Sequence, residues 1–221
     1  MTAPKIFQAW PTIIAAEAHH RPEMDEALST LAHRIAADTA RDGSYFFSRR
    51  KTNCFRDYTD PALRDLGRLA FRAIRSYLQD VYAEEKPPRL EISGWPMVQP
   101  YGHNVPAHHH IGSHLSAVYY CDVPRLRPDT PIQNSGALVL HDPRAVNRDW
   151  EPAGALAREF KYFEIPVKTG LLVIFPGYIM HSAQPWFGDA PRICYAMNFM
   201  AHRDALEEPP LAEHDFEMRY G

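Results

Sequence analysis

Three consecutive histidines close the segment Pro106-Ala107-His108-His109-His110. In an extended chain successive side chains point to opposite faces, so His108 and His110 share a face and His109 takes the other. Two imidazoles at i, i+2 near a strand end can grip one metal ion from two directions. Imidazole suits iron, copper, zinc and nickel alike, so the donor type does not choose the metal. A third donor is needed, and His181 is the best placed. It follows an apolar run and a proline-glycine break in Phe175-Pro176-Gly177-Tyr178-Ile179-Met180-His181. A single histidine is most often a surface or satisfied core residue. The pair together with a distal histidine after a core strand is harder to dismiss, and it makes His108, His110 and His181 the candidate metal ligands.

Arg192 adds a second element. It lies eleven positions after His181 (192 − 181) and opens the apolar stretch Arg192-Ile193-Cys194-Tyr195. A guanidinium fork can hold a carboxylate through two parallel hydrogen bonds. If the strands carrying His181 and Arg192 are neighbours, the arginine reaches the cavity of the metal. Such a cavity suits a small dicarboxylate that chelates the metal at one end. The common fate of an arginine is instead a surface salt bridge.

These residues need a β scaffold, and the chain supplies its signals after Lys86-Pro87-Pro88. Leu90 to Val98, Leu115 to Val123, Gly136 to Leu140, Tyr162 to Val167, Leu171 to Phe175 and Arg192 to Phe199 read as short strands bounded by turn residues. The pattern predicts an all-β sandwich, jelly roll or barrel. Before it the signals are helical. Pro22 opens a stretch in which Met24, Leu28, Leu31 and Ile35 recur at helical spacing. Asp60-Pro61 reads as an N-cap and first helical residue, followed by a stripe of Leu63, Leu66, Ala70, Ile74, Tyr77, Leu78 and Val81. These helices are expected to buttress one face of the β core. The expected organisation is one domain over 1–221, with a helical flank at 1–88, the β core at 89–200 and a C-terminal tail at 201–221.

The bulk numbers agree with a globular chain. The chain has 221 residues and a net charge of −3 with histidines neutral. That balance gives no electrostatic case for nucleic acid or an anionic membrane as partner. The basic run Arg49-Arg50-Lys51 is short and reads first as a solvated loop. Cys54, Cys121 and Cys194 are far apart and odd in number, which argues against a disulfide framework. With no secretory pattern at Met1-Thr2-Ala3-Pro4-Lys5 and no apolar run long enough to span a bilayer, the expected compartment is the cytoplasm. Of 12 histidines, five fall between His103 and His114, a density that itself asks for a function. On spacing alone a three-histidine cupin-type dioxygenase, a zinc hydrolase and a non-catalytic β-sandwich binding module all stay open.

The pattern Trp95…Gly102…His108-His109-His110-Ile111-Gly112-Ser113-His114-Leu115-Ser116-Ala117-Val118-Tyr119-Tyr120 resembles the core of a family of 2-oxoglutarate- and iron(II)-dependent oxygenases. In that family a strand carries H-x-H-P-x-S and then L-S-G-x-Y-Y. The resemblance continues through Gly136…Asp142-Pro143-Arg144, Gly170-Leu171-Leu172-Val173-Ile174-Phe175-Pro176, His181, Arg192 and Asn198, and covers about Gly94 to Phe199 in order. It implies a double-stranded β-helix, iron(II), 2-oxoglutarate as co-substrate and dioxygen. It makes His108, His110 and His181 the iron ligands and Arg192 the partner of the distal 2-oxoglutarate carboxylate, with Gln99, Tyr119 and Asn198 as further co-substrate contacts. Ile111 stands for the family's proline, Ala117 for its glycine, and Cys194 for a serine common beside the arginine. A shifted register, with His110-Ile111-Gly112 leaving a halide site as in related halogenases, ranks below the H-x-H alignment. The implied partner is a small-molecule substrate, with a homodimer left open. Trp95, Tyr101, Trp186 and Phe187 are candidates to line its pocket.

Overall fold

The computed structural model describes residues 11–39, 53–83, 88–143 and 162–202. In chain order the elements are β1 (Ala15–Ala18), α1 (Pro22–Thr39), α2 (Cys54–Asp57), α3 (Pro61–Tyr82), β2 (Arg89–Gln99), β3 (Val105–His108), β4 (Leu115–Asp122), β5 (Leu138–His141), β6 (Tyr162–Ile165), β7 (Leu171–Pro176), β8 (His181–Ala183) and β9 (Arg192–His202). The strands form two antiparallel sheets. The larger has the order β1-β7-β4-β9-β2 and the smaller β3-β8-β5-β6. This is a double-stranded β-helix with helices on one side.

The helical stripe read from sequence is the one that packs. Asp60 accepts the Ala62 N–H at 3.0 Å, and Pro61 follows it at the first helical position. Losing such a cap costs about 1 kcal/mol. The helix stops where Ala83 turns left-handed, at φ 52°, and donates its N–H to Leu78 O. Leu63, Leu66, Ala70, Ile74 and Tyr77 are buried. They join α1 and the outer side of the large sheet in one core.

A second core fills the space between the sheets. β4 serves both because its side chains alternate. Leu115, Ala117, Tyr119 and Cys121 face the helices, whereas Val118 and Tyr120 face the small sheet. Two buried faces explain why this strand reads as one apolar run rather than an alternating one.

Strand pairing lines up the inner face of the large sheet in transverse rows. Phe175, Ser116, Asn198 and Ser93 form the first; Val173, Val118, Ala196 and Trp95 the second; Leu171, Tyr120, Cys194 and Met97 the third. Arg192 and Gln99 begin the fourth. Consecutive rows are two residues, about 7 Å, apart.

The six strands read from sequence are all present within a few residues. Three elements were not anticipated there: β1, α2 and β8. Among the described residues no helix is long and apolar enough to cross a membrane. Arg49-Arg50-Lys51, Arg144 and positions 203–221 of the expected tail lie outside the described residues.

Candidate active site

His181 lies past the end of the core strand β7, as its sequence position suggested, but in the other sheet. It opens β8 in the small sheet and is the direct cross-strand partner of His108, the last residue of β3. His110 follows in the turn leading to β4. There the His110 N–H donates to Gly177 O at 3.2 Å, and the Gly177 N–H donates to His114 O at 3.0 Å. The two backbones meet so closely that a Cβ at Gly177 would lie 2.3 Å from Ser113 O. The Pro176-Gly177 break therefore docks the histidine turn beside the chain that goes on to His181.

The candidate ligand nitrogens of His108, His110 and His181 all lie within 4.8 Å of one another. Ring centroids are 5.1 Å apart for His108 and His110, 4.3 Å for His108 and His181, and 5.0 Å for His110 and His181. His108 and His181 each hold Nδ1 2.9 Å from a carbonyl two residues upstream, Pro106 O and Ile179 O. An Nδ1–H donated there leaves the Nε2 lone pair for a metal. Burial, and secondarily neighbouring imidazoles, lower the pKa of His110 and of His181 to about 4. Both are neutral at pH 7, which metal ligation requires. The donor set fits a divalent transition metal, iron(II) included. His108 belongs to the cluster, so the shifted register, which would strand it, is not the grouping the fold makes.

The strand of Arg192 is not a neighbour of β8; the two belong to different sheets. They are linked across the interior instead, where Gln99, which accepts from Arg192, donates to Gln184 O just past β8. Arg192 is 1% exposed. Its Nη1 donates to Gly136 O and its Nη2 to Gln99 Oε1, while Nε is buried without a partner. No carboxylate among the described residues forms a salt bridge with it. A guanidinium buried without a counter-charge costs several kcal/mol. That cost falls when an anion enters, so the residue fits one end of a dicarboxylate. Tyr120 lies alongside, its ring centroid 5.2 Å from the guanidinium carbon. Burial pushes the Tyr120 phenol far up, the Arg192 charge pulling the other way, so it keeps its proton. Gly136, at φ 74°, keeps this corner open: a Cβ there would meet the Trp186 ring at 2.6 Å and Arg192 Cδ at 3.4 Å.

Three companions inferred from sequence are placed differently. Tyr119 faces the helices, where its hydroxyl donates to buried Asp25 at 2.6 Å. Its neighbour Tyr120 takes the inward position, one residue of alternation away. Gln99 orients the arginine: its amide donates to His103 O and, at 3.3 Å, to Gln184 O, which turns Oε1 toward Arg192. Asn198 lies on the inner face but in the first row, three rows from Arg192, bonded to Ser116 Oγ at 2.9 Å. Among the aromatic candidates, Trp95 sits edge-on to His110 at 5.7 Å. Trp186 is core, with its indole N–H on Ala190 O at 2.7 Å. Tyr101 and Phe187 meet edge to face at 5.3 Å, with Arg127 over the Tyr101 ring at 4.3 Å. Sequence reasoning missed Tyr120 and Phe175, whose ring lies 4.9 Å from His181.

Residues 93–198 match the family model described as "Putative 2OG-Fe(II) oxygenase". That stretch, just under half of the chain, carries the core of a 2-oxoglutarate- and iron(II)-dependent oxygenase. The chain is therefore an oxidoreductase, with iron(II) as metal and 2-oxoglutarate as co-substrate. Solved structures share the fold of this oxygenase. A prolyl-4-hydroxylase from Pseudomonas putida superposes with a TM-score of 0.55 at 17% identity, covering 86% of this chain and 89% of that one. HygX from Streptomyces hygroscopicus, with nickel and 2-oxoglutarate bound, gives 0.57 at 12% identity, covering 87% and 84%. SnoN, a non-heme α-ketoglutarate-dependent epimerase from nogalamycin biosynthesis, gives 0.54 at 14%, covering 92% and 87%. No curated protein matches the sequence.

Proposed function

We propose that this oxygenase oxidises a small molecule at an iron(II) held by His108, His110 and His181, with Arg192 gripping the distal carboxylate of 2-oxoglutarate. The observation that carries the arginine's role is its burial without an acidic partner among the described residues, on the inner face opposite the sheet that carries His108 and His181. Iron(II), 2-oxoglutarate and dioxygen together supply the oxidation of a substrate C–H bond, coupled to loss of carbon dioxide from the co-substrate. The protein's part is placement. His108 and His181 present Nε2 because their Nδ1 protons are spent on backbone carbonyls. Gln99 and the Gly136 carbonyl fix the arginine fork, and the Tyr120 hydroxyl adds a neutral donor. Phe175 and the apolar inter-sheet core keep bulk water from one side of the cluster.

The buried arginine also favours this reading over a three-histidine cupin-type enzyme, which has no use for a dicarboxylate site. The expected single domain over 1–221, the cytoplasmic setting and the absence of a nucleic-acid partner belong to the same proposal, and a homodimer is compatible with it. Anaerobic titration of tag-free protein with iron(II) and 2-oxoglutarate tests it. The weak visible charge-transfer band of the chelate should form in the wild type, vanish in His181→Ala and require far more 2-oxoglutarate in Arg192→Ala. Full iron loading with no such band at any concentration would refute it.

A further inference from the structure

We infer that Asn198, set by Ser116 and flanked by Trp95, is the recognition point for an uncharged substrate bearing a carbonyl or hydroxyl acceptor. This rests on the proposed function and assigns the side of the site that the co-substrate leaves free.

The row register separates the two sides. Hydrogen bonds to Gln99, its own cross-strand partner, and to Gly136 hold the Arg192 head near the fourth row. The histidine cluster lies instead at the first two rows: His181 touches Phe175 in the first and His110 touches Trp95 in the second. A five-carbon diacid reaching from Arg192 to the metal fills the third row and part of the second. Asn198 is six residues from Arg192 along β9, about 20 Å at strand rise. It therefore sits beyond the metal from the arginine and does not share the distal carboxylate.

The chemistry of the first row is neutral and directional. The Ser116 hydroxyl donates to Asn198 Oδ1 at 2.9 Å, which orients the amide and leaves both Nδ2 protons to donate. Ser93, the cross-strand partner of Asn198, places another hydroxyl on the same face. Trp95, half-buried one row on, offers an apolar ring. Apart from the imidazoles of the cluster itself, the large-sheet residues of the first two rows carry no ionisable side chain. A charged substrate group there would lose hydration without a counter-charge, whereas a neutral acceptor would gain the amide protons.

The test uses the anaerobic iron(II)·2-oxoglutarate holoenzyme and three probes of one shape: cyclohexanecarboxamide, cyclohexanecarboxylate and cyclohexylmethylammonium. Binding is read by ligand-observed NMR and calorimetry, and 2-oxoglutarate affinity is titrated in parallel. The carboxamide should bind at least tenfold more tightly than either charged probe. Asn198→Ala should abolish that preference with little change in 2-oxoglutarate affinity. Asn198→Asp should transfer the preference to the ammonium probe, a gain that a misfolded variant cannot show. Equal or tighter binding of a charged probe to the wild type, or undetectable binding of the carboxamide, overturns the substrate class. A tenfold loss of 2-oxoglutarate affinity in Asn198→Ala overturns the placement but leaves the proposed function standing. Wild-type protein that binds no 2-oxoglutarate through Arg192 removes both.

Discussion

The two faces of the large sheet carry similar residue types and treat them in opposite ways. On the outer face, polar groups among the helices are matched within the protein. Tyr119 donates to Asp25 and Tyr195 donates to Leu28 O at 2.8 Å. On the inner face, Arg192 is buried with no acidic partner among the described residues, and across the interior from it three imidazoles of the small sheet and its turn crowd together. The outer face has finished its chemistry at folding; the inner face has left chemistry undone. An unsatisfied buried charge is costly, so Arg192 on the inner face marks where a ligand completes the structure.

The largest expected effect lies in the histidine cluster. His108→Ala or His181→Ala should reduce bound iron from one per chain to near none by metal analysis, and succinate release from 2-oxoglutarate should cease. His109→Ala should keep its iron; loss of iron there with retention in His108→Ala would show that the wrong face had been chosen.

Next comes Arg192→Met. Losing a charged, forked contact should weaken 2-oxoglutarate binding roughly 100-fold or more. Thermal stability without ligand should hold or rise, because an uncompensated buried charge is removed. A marked fall in melting temperature would make the arginine structural, and the contrast between the faces would fail.

Tyrosines at adjacent positions sharpen the contrast. Tyr119→Phe should destabilise the fold by about 1–3 kcal/mol in denaturant unfolding, because buried Asp25 loses its donor. Its 2-oxoglutarate affinity should stay the same. Tyr120→Phe should do the reverse, weakening 2-oxoglutarate several-fold at nearly unchanged stability.

The smallest expected effect concerns Asp25. Burial raises its carboxyl pKa, against the opposing Tyr119 hydrogen bond. A carboxyl whose folded pKa is raised contributes stability that is present below its unfolded pKa and lost as pH rises through the folded one. Asp25→Asn keeps an acceptor for Tyr119 and removes that loss. The melting temperature of the variant relative to wild type should thus improve from pH 4 to pH 7; a flat difference would show that Asp25 is not under desolvation strain.

By itself the sequence determined much of this protein. Periodicity 2 against 3.6 separated strands from helices, Asp60-Pro61 marked the start of α3, and the i, i+2 spacing put His108 and His110 on one face. These are local properties, set by neighbours in the chain. Tertiary structure decided the rest. β8 has three residues, too few for a periodic signal, and only pairing with β3 and β5 makes it a strand and brings His181 opposite His108. Tyr119 and Tyr120 are chemically equivalent in the sequence. Which one meets the helices and which meets Arg192 depends on which face of β4 the helices cover. Asn198 and Arg192 share an inner face, yet only the register among β2, β4, β7 and β9 shows which side chains fill the rows that separate them. Local spacing fixes the face a side chain takes; long-range packing alone fixes what that face meets.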